Sequence, residues 1–186
     1  MKSNLLNQIL KEKEIYNMNC KDLNQLKEEY PSKTYTAEYI ADIMKKAAAE
    51  NENNRNNFIN KINLLQSEYS TKYNNNISKE LLNSNLSTYR NILEGTELMT
   101  DNELKSLCEK AHSEGDILST RYLSNYIQSN NRQIETKVLV SSEEKAKTVQ
   151  DICDQVIRTA TDKEKGLAWA LLEKEFETKY DSILEG

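Results

Sequence analysis

The chain has 186 residues, of which 37% are hydrophobic and 30% charged, and a formal net charge of −5 at pH 7. The length allows one domain or two small ones, and an apolar share below the globular average permits only a thin core, which favours elongated or partner-dependent architectures. A mildly acidic chain without a Lys/Arg cluster lacks the basic footprint of non-specific nucleic-acid binding, which sets nucleic acid aside as a partner.

Helical spacing dominates from the N-terminus onward. The first segment, about Asn4 to Tyr30, points Leu5, Ile9, Leu23, Leu26 and Tyr30 inward. An interruption is predicted at Asn17-Met18-Asn19-Cys20, with Asp22 capping a second short helix. Pro31 ends the segment, because proline cannot continue a helix and disfavours helical geometry in the residue before it. Pro31 to Tyr35 reads as a linker, and Thr36 as the N-cap of the next helix.

That helix begins a stretch, about Ala37 to Tyr73, that is free of Pro and Gly. Ile40, Ile43 and Ala47 form a stripe at its start, and Phe58, Ile62, Leu65 and Tyr69 form another at its end. Glu50 to Asn57 between them holds no apolar residue. One rod of roughly 37 residues, about 55 Å at 1.5 Å per residue, and two helices joined by an Asn-rich turn both fit the pattern, the rod slightly better. The two stripes are out of heptad phase, so no coiled coil is predicted.

Asn74-Asn75-Asn76 is read as the next break, and a domain boundary is placed there. A helix from about Lys79 to Leu93 comes next, with Leu82, Leu86, Tyr89 and Leu93 inward and Gly95 as its stop. Thr100-Asp-Asn-Glu103 is a capping box for a helix with Leu104, Leu107, Cys108 and Ala111 inward, broken by Gly115. Asp116 to Ser129 is predicted helical, with Leu118, Tyr122 and Tyr126 on one face and Leu123 and Ile127 beside it. Lys137-Val138-Leu139-Val140, the one β-branched run, is too short to carry a sheet. Ser141-Ser-Glu-Glu144 and Thr161-Asp-Lys-Glu164 are further capping boxes. They open helices carrying Val149, Cys153, Val156 and Ala160, and then Trp169, Leu172, Phe176, Tyr180 and Ile183. The expected fold is all-α: an extended region over residues 1–77 with a long N-terminal helix at about 37–73, then a compact bundle of about five helices over residues 78–186.

The materials of catalysis are sparse. His112 is the only histidine. It ends a helix, a position its charge favours, and Cys108 four residues earlier reads as a small buried hydrophobe rather than a nucleophile. Cys20, Cys108 and Cys153 make no C-x-x-C pair, and three isolated cysteines fit a reducing compartment. Spaced metal ligands and a Gly-rich phosphate loop are both missing, so the expectation is no enzyme, no cofactor and no metal. The N-terminus lacks the apolar run of a signal peptide, and no stretch approaches the ~18 apolar residues of a membrane span. A soluble, cytoplasmic protein is expected.

Tyrosine is common (10, against 2 Phe). It suits half-buried surfaces and interfaces, although the codon bias of an AT-rich genome would also supply it along with Asn, Lys and Ile. A compact domain of this length has a radius of gyration of about 16 Å, too small to enclose the rod. A projecting helix must cover its apolar stripe with another chain. The candidate interaction residues are therefore Phe58, Ile62, Leu65 and Tyr69, with Trp169, which reads first as core and second as an interface anchor.

Leu98-Met-Thr-Asp-Asn-Glu-Leu-Lys-Ser-Leu-Cys-Glu-Lys-Ala111, continued by Arg121-Tyr-Leu-Ser-Asn-Tyr126 and preceded by Tyr35-Thr-Ala-Glu-Tyr-Ile40, resembles helical proteins of the head-morphogenesis region of tailed phages and prophages of low-GC Gram-positive bacteria. Asn102 stands where those proteins carry an acidic residue. The resemblance spans about half the chain. It implies a scaffolding-like or minor structural protein of phage assembly, acting in the bacterial host cell on a capsid-type partner, with homo-oligomers possible. Two other readings compatible with the residues are a phage or mobile-element inhibitor that binds a host defence protein, and a bacterial helical adaptor or regulator. The alternating charges of Lys11-Glu-Lys-Glu14 and Glu173-Lys-Glu175 argue against nucleic-acid mimicry as the inhibitor's means.

Overall fold

The computed structural model describes residues 3–95, 99–161 and 165–185 and is all-α, with no strand among the described residues. In chain order the helices are α1 (Asn4–Asn19), α2 (Leu23–Glu29), α3 (Ala37–Leu82), α4 (Leu86–Gly95), α5 (Asp101–Ser113), α6 (Ile117–Ser129), α7 (Ser142–Thr161) and α8 (Lys165–Glu175). A π-helical turn over Phe176–Tyr180 then leads into a short α9 (Asp181–Glu185). Among the described residues no helix is long and apolar enough to cross a membrane.

The caps agree closely with the sequence. The Asp22 carboxylate accepts from the N–H groups of Asn24 and Gln25 and opens α2. Thr36 Oγ1 accepts from Tyr39 N–H at 3.2 Å at the start of α3. Both halves of the Thr100/Glu103 capping box form, as do both halves of the Ser141/Glu144 box. Gly115 turns the chain at φ +70°, a conformation that glycine adopts without strain. The Thr161–Glu164 box falls on residues outside the described set. The interruption predicted from Asn17 comes slightly later, since α1 runs to Asn19 and is closed by Cys20.

The long helix is the continuous rod that the sequence slightly favours, and it corrects one expectation. It is 46 residues long, about 13 turns; it runs through the Asn-rich Glu50–Asn57 stretch and also through the predicted break at Asn74–Asn76. Asparagine is only a fair helix former, but here its amides bond to groups outside the helix. Asn51 donates from Nδ2 to the Lys21 carbonyl and accepts at Oδ1 from Lys21 N–H, both at 2.8 Å. Asn54 donates to the Asn19 carbonyl at 2.7 Å. The asparagines thus satisfy backbone groups orphaned where α1 ends. At residues 74–76 the inward positions simply continue through Tyr73, Asn76, Ile77 and Glu80, so helix bounds of about 37–73 and 79–93 give way to 37–82 and 86–95. Leu82, predicted inward, is 83% exposed.

By contacts the chain divides into two compact units, Met1–Tyr69 with Gln150–Glu185, and Ser70–Val149. This grouping differs from a division at residue 77, and both of its boundaries fall inside helices. The core of the first unit is formed by Leu5, Leu6, Ile9 and Tyr16 of α1, Phe58 and Ile62 of α3, Ile152, Cys153 and Val156 of α7, and Trp169, Leu172 and Phe176 of the C-terminal helices. The core of the second unit gathers Tyr89, Leu93, Leu104, Cys108, Ala111, Leu123 and Ile127. On α6 the buried residues are therefore Ser119, Thr120, Leu123, Ser124 and Ile127, with Tyr122 and Tyr126 at the margin of the core rather than at its centre.

Polar side chains tie the helix ends of the second unit together. Asp116 caps α6 by accepting from Ser119 N–H at 3.0 Å and Ser119 Oγ at 2.7 Å. It also accepts from Asn85 N–H at 2.6 Å and Ser84 Oγ at 2.8 Å at the head of α4. Glu80, near the end of α3, accepts from Ser142 N–H at 3.0 Å and from its hydroxyl at the head of α7. A carboxylate at a helix N-terminus satisfies free N–H groups and complements the helix dipole.

Candidate protein-binding site

The stripe singled out in the sequence lies inside the molecule. Phe58, Ile62, Tyr69 and Trp169 are buried, and Leu65 is half-buried. Phe58 stacks on Tyr16 at 5.1 Å between ring centroids and meets Trp169 edge to face at 6.2 Å. Lys13 sits over the Trp169 ring at 4.7 Å and pairs with Glu173. Tyr69 Oη accepts from Gln8 at 3.3 Å. The structure thus brings Phe58 and Trp169 together as a core seam rather than as a free contact face. Helices α1 and α8 supply the cover that the sequence pattern assigned to another chain.

His112 and Cys108 line a groove of about 560 Å³ beside α5. Burial pushes the Cys108 thiol above its ordinary range, the reverse of what a nucleophilic cysteine needs. Among the described residues no group of three or more His, Cys, Asp or Glu side chains is placed to hold a metal ion.

A different cluster has the character of a contact site. Pro31 ends α2 and leaves Tyr30 at φ −117°, ψ 69°, outside helical geometry. The turn closes through the Pro31 carbonyl, which accepts from the N–H groups of Thr34 at 2.9 Å and Tyr35 at 3.2 Å. Tyr35 and Tyr39, four residues apart across the Thr36 cap, stack at 5.5 Å with rings 18° apart. Tyr30 meets both edge-on, at 5.2 Å and 6.2 Å. Tyr35 remains 37% exposed and Tyr39 49%. The rings order one another on the surface instead of entering a core, and each such aromatic pair contributes about 0.5–1.5 kcal/mol beyond its buried area. Sequence reasoning marked Pro31–Tyr35 as a linker and noted the tyrosine excess. The signal for the cluster was three tyrosines within ten residues around one proline and one N-cap: Tyr30 just before Pro31, Tyr35 just before Thr36, and Tyr39 in the first turn of α3.

Compared with known proteins, the chain matches no family model, no curated protein sequence and no solved structure.

Proposed function

We propose that this chain works without catalysis, by holding another protein against the Tyr30–Tyr35–Tyr39 cluster. The observation that carries the reading is that three tyrosine rings pack together at the surface, Tyr35 stacked on Tyr39 and Tyr30 edge-on to both, while Tyr35 and Tyr39 stay more than a third exposed. Tyrosine is enriched among the residues that dominate interface energetics. Rings already held in place avoid an ordering cost of about 0.5–1.5 kcal/mol per side chain on binding. The surroundings carry both signs, with Lys33, Glu38 and the Asp42–Lys46 pair at 2.7 Å nearby, which suits a mixed protein surface better than a polyanion.

The resemblance to phage head-morphogenesis proteins gives the reading a specific form. Tyr35 and Tyr39, the two stacked rings, belong to the Tyr35-Thr-Ala-Glu-Tyr-Ile40 stretch that carries part of it. On that basis the partner is a capsid-type protein, and the chain is a scaffolding-like or minor structural component of assembly.

The test is the double substitution Tyr35→Ser with Tyr39→Ser, introduced into the genome that encodes the chain. Both positions are exposed, so the variant should accumulate and fold as the wild type does. The yield of assembled heads should fall by about tenfold or more, as expected when two interface anchors are lost. An unchanged yield with normal protein levels would overturn the assembly reading.

A further inference from the structure

The segment joining α6 to α7, residues 132–141, is irregular chain without helix or strand partner. After Asn131, which takes φ +53°, exposure alternates as far as Lys137: Arg132, Ile134 and Thr136 are half-buried, while Gln133, Glu135 and Lys137 are exposed; at Val138, also exposed, the alternation ends. Alternation with a period of two is the mark of extended backbone. Ile134 packs against the core of the second unit, and Thr136 Oγ1 shares a hydrogen bond with Ser124 Oγ at 3.0 Å, so one face is anchored. The backbone is a different matter. Arg132 N–H donates to the Ile127 carbonyl and Ser141 N–H to Glu144, but among the described residues no hydrogen bond reaches the N–H or C=O groups of residues 133–140. Such an unpaired edge is a template for another strand. The one β-branched run of the chain lies here, with Val138 44% exposed, and the 560 Å³ groove lies beside the segment's Gln133, Glu135 and Lys137.

The order of residues selects the occupant. Paired antiparallel with itself about Thr136, the segment sets Glu135 opposite Lys137 and Ile134 opposite Val138, twice each across the two-fold axis. Opposite charges and apolar pairs directly across a ladder both stabilise it. Centring the pair on Glu135 or on Lys137 instead places like charges face to face, which disfavours the two neighbouring registers. We propose that a second copy of this chain pairs along residues 133–139, antiparallel and centred on Thr136, to form an isologous dimer contact. The contact is separate from the tyrosine cluster and stands or falls independently of it.

A single strand pair is a small interface and therefore weak, so the measurement is sedimentation of the full chain over concentrations up to about 1 mM. The wild type should show a concentration-dependent monomer–dimer equilibrium. Glu135→Lys and Lys137→Glu, both at exposed positions, should each weaken dimerisation by about tenfold or more by opposing like charges. An equimolar mixture of the two variants should recover dimer near the wild-type level, because each supplies the charge that the other lacks. A wild type that stays monomeric throughout, a dimer indifferent to both substitutions, or a mixture that fails to recover would overturn the proposal.

Discussion

Phe58 of α3 meets Trp169 of α8 edge to face, with ring centroids 6.2 Å apart and planes 67° apart. Their contact settles where the apolar stripe of the long helix goes, since both residues are at least 95% buried within the chain. Phe58→Ala should therefore cost about 3–5 kcal/mol of stability through lost burial and the cavity left behind. Urea denaturation should show a much lower midpoint for the variant. A stripe serving mainly as a docking face would instead leave the midpoint close to that of the wild type.

The asparagines of the long helix separate by role. Asn51 makes two hydrogen bonds to the Lys21 backbone, whereas Asn53 is exposed. Asn51→Ala should cost about 1–2 kcal/mol, and Asn53→Ala should be neutral or slightly stabilising by helix propensity. Paired melting curves of the two variants check this directly. Equal effects would mean that the amide pair contributes nothing beyond propensity.

Asp116 gives the second unit a pH dependence of known sign. Burial opposes its charge, but hydrogen bonds from Ser119, Asn85 and Ser84 outweigh that effect and hold the carboxyl below its ordinary value of 3.8. The folded state then binds this proton less readily than the unfolded chain does. The stabilisation is fully present above the unfolded value and is lost as pH falls through the folded one. The stability difference between wild type and Asp116→Asn should stay constant from about pH 7 to 5 and shrink below about pH 4. Denaturant titrations of both proteins across this range provide the measurement.

The three cysteines should react in a fixed order. Cys20 is half-exposed at the end of α1. Cys108 is buried, with its thiol pushed up, and Cys153 is fully buried, with burial pushing its thiol to about 12. Alkylation followed by peptide mass spectrometry should modify Cys20 first and Cys108 more slowly. Cys153 should be modified only at the rate of unfolding, because reaction needs exposed thiolate.

The parts of this fold that could be read in the sequence are those set by local chemistry. Asp22, Thr36, Thr100, Ser141, Gly115 and Pro31 mark helix ends because their side chains or ring act on the adjacent backbone. The inward faces of α1, α5 and α7 arise from 3.6-residue spacing. The effects of distant partners escaped. The sequence favours a continuous rod through Glu50–Asn57 but does not show the amide bonds that Asn51 and Asn54 make to the chain where α1 ends, and Asn74–Asn76 are helical because the inward positions of α3 continue past them. Phe58 is a core residue because α1 and α8 cover it. No window of the sequence contains those relationships. The tyrosine cluster escaped for a related reason, since Tyr30 joins Tyr35 and Tyr39 only once Pro31 has turned the chain.

If the tyrosine cluster is the surface that touches a partner, a reactive group placed there should capture that partner. A photo-crosslinking amino acid is introduced at Tyr39 and, as a control, at exposed Lys174, in cells where the chain is made from its own genome. Position 39 should yield one dominant crosslinked protein, of capsid type, and position 174 none. Equal crosslinking at both positions, or none at position 39, would contradict a partner-binding role for the cluster.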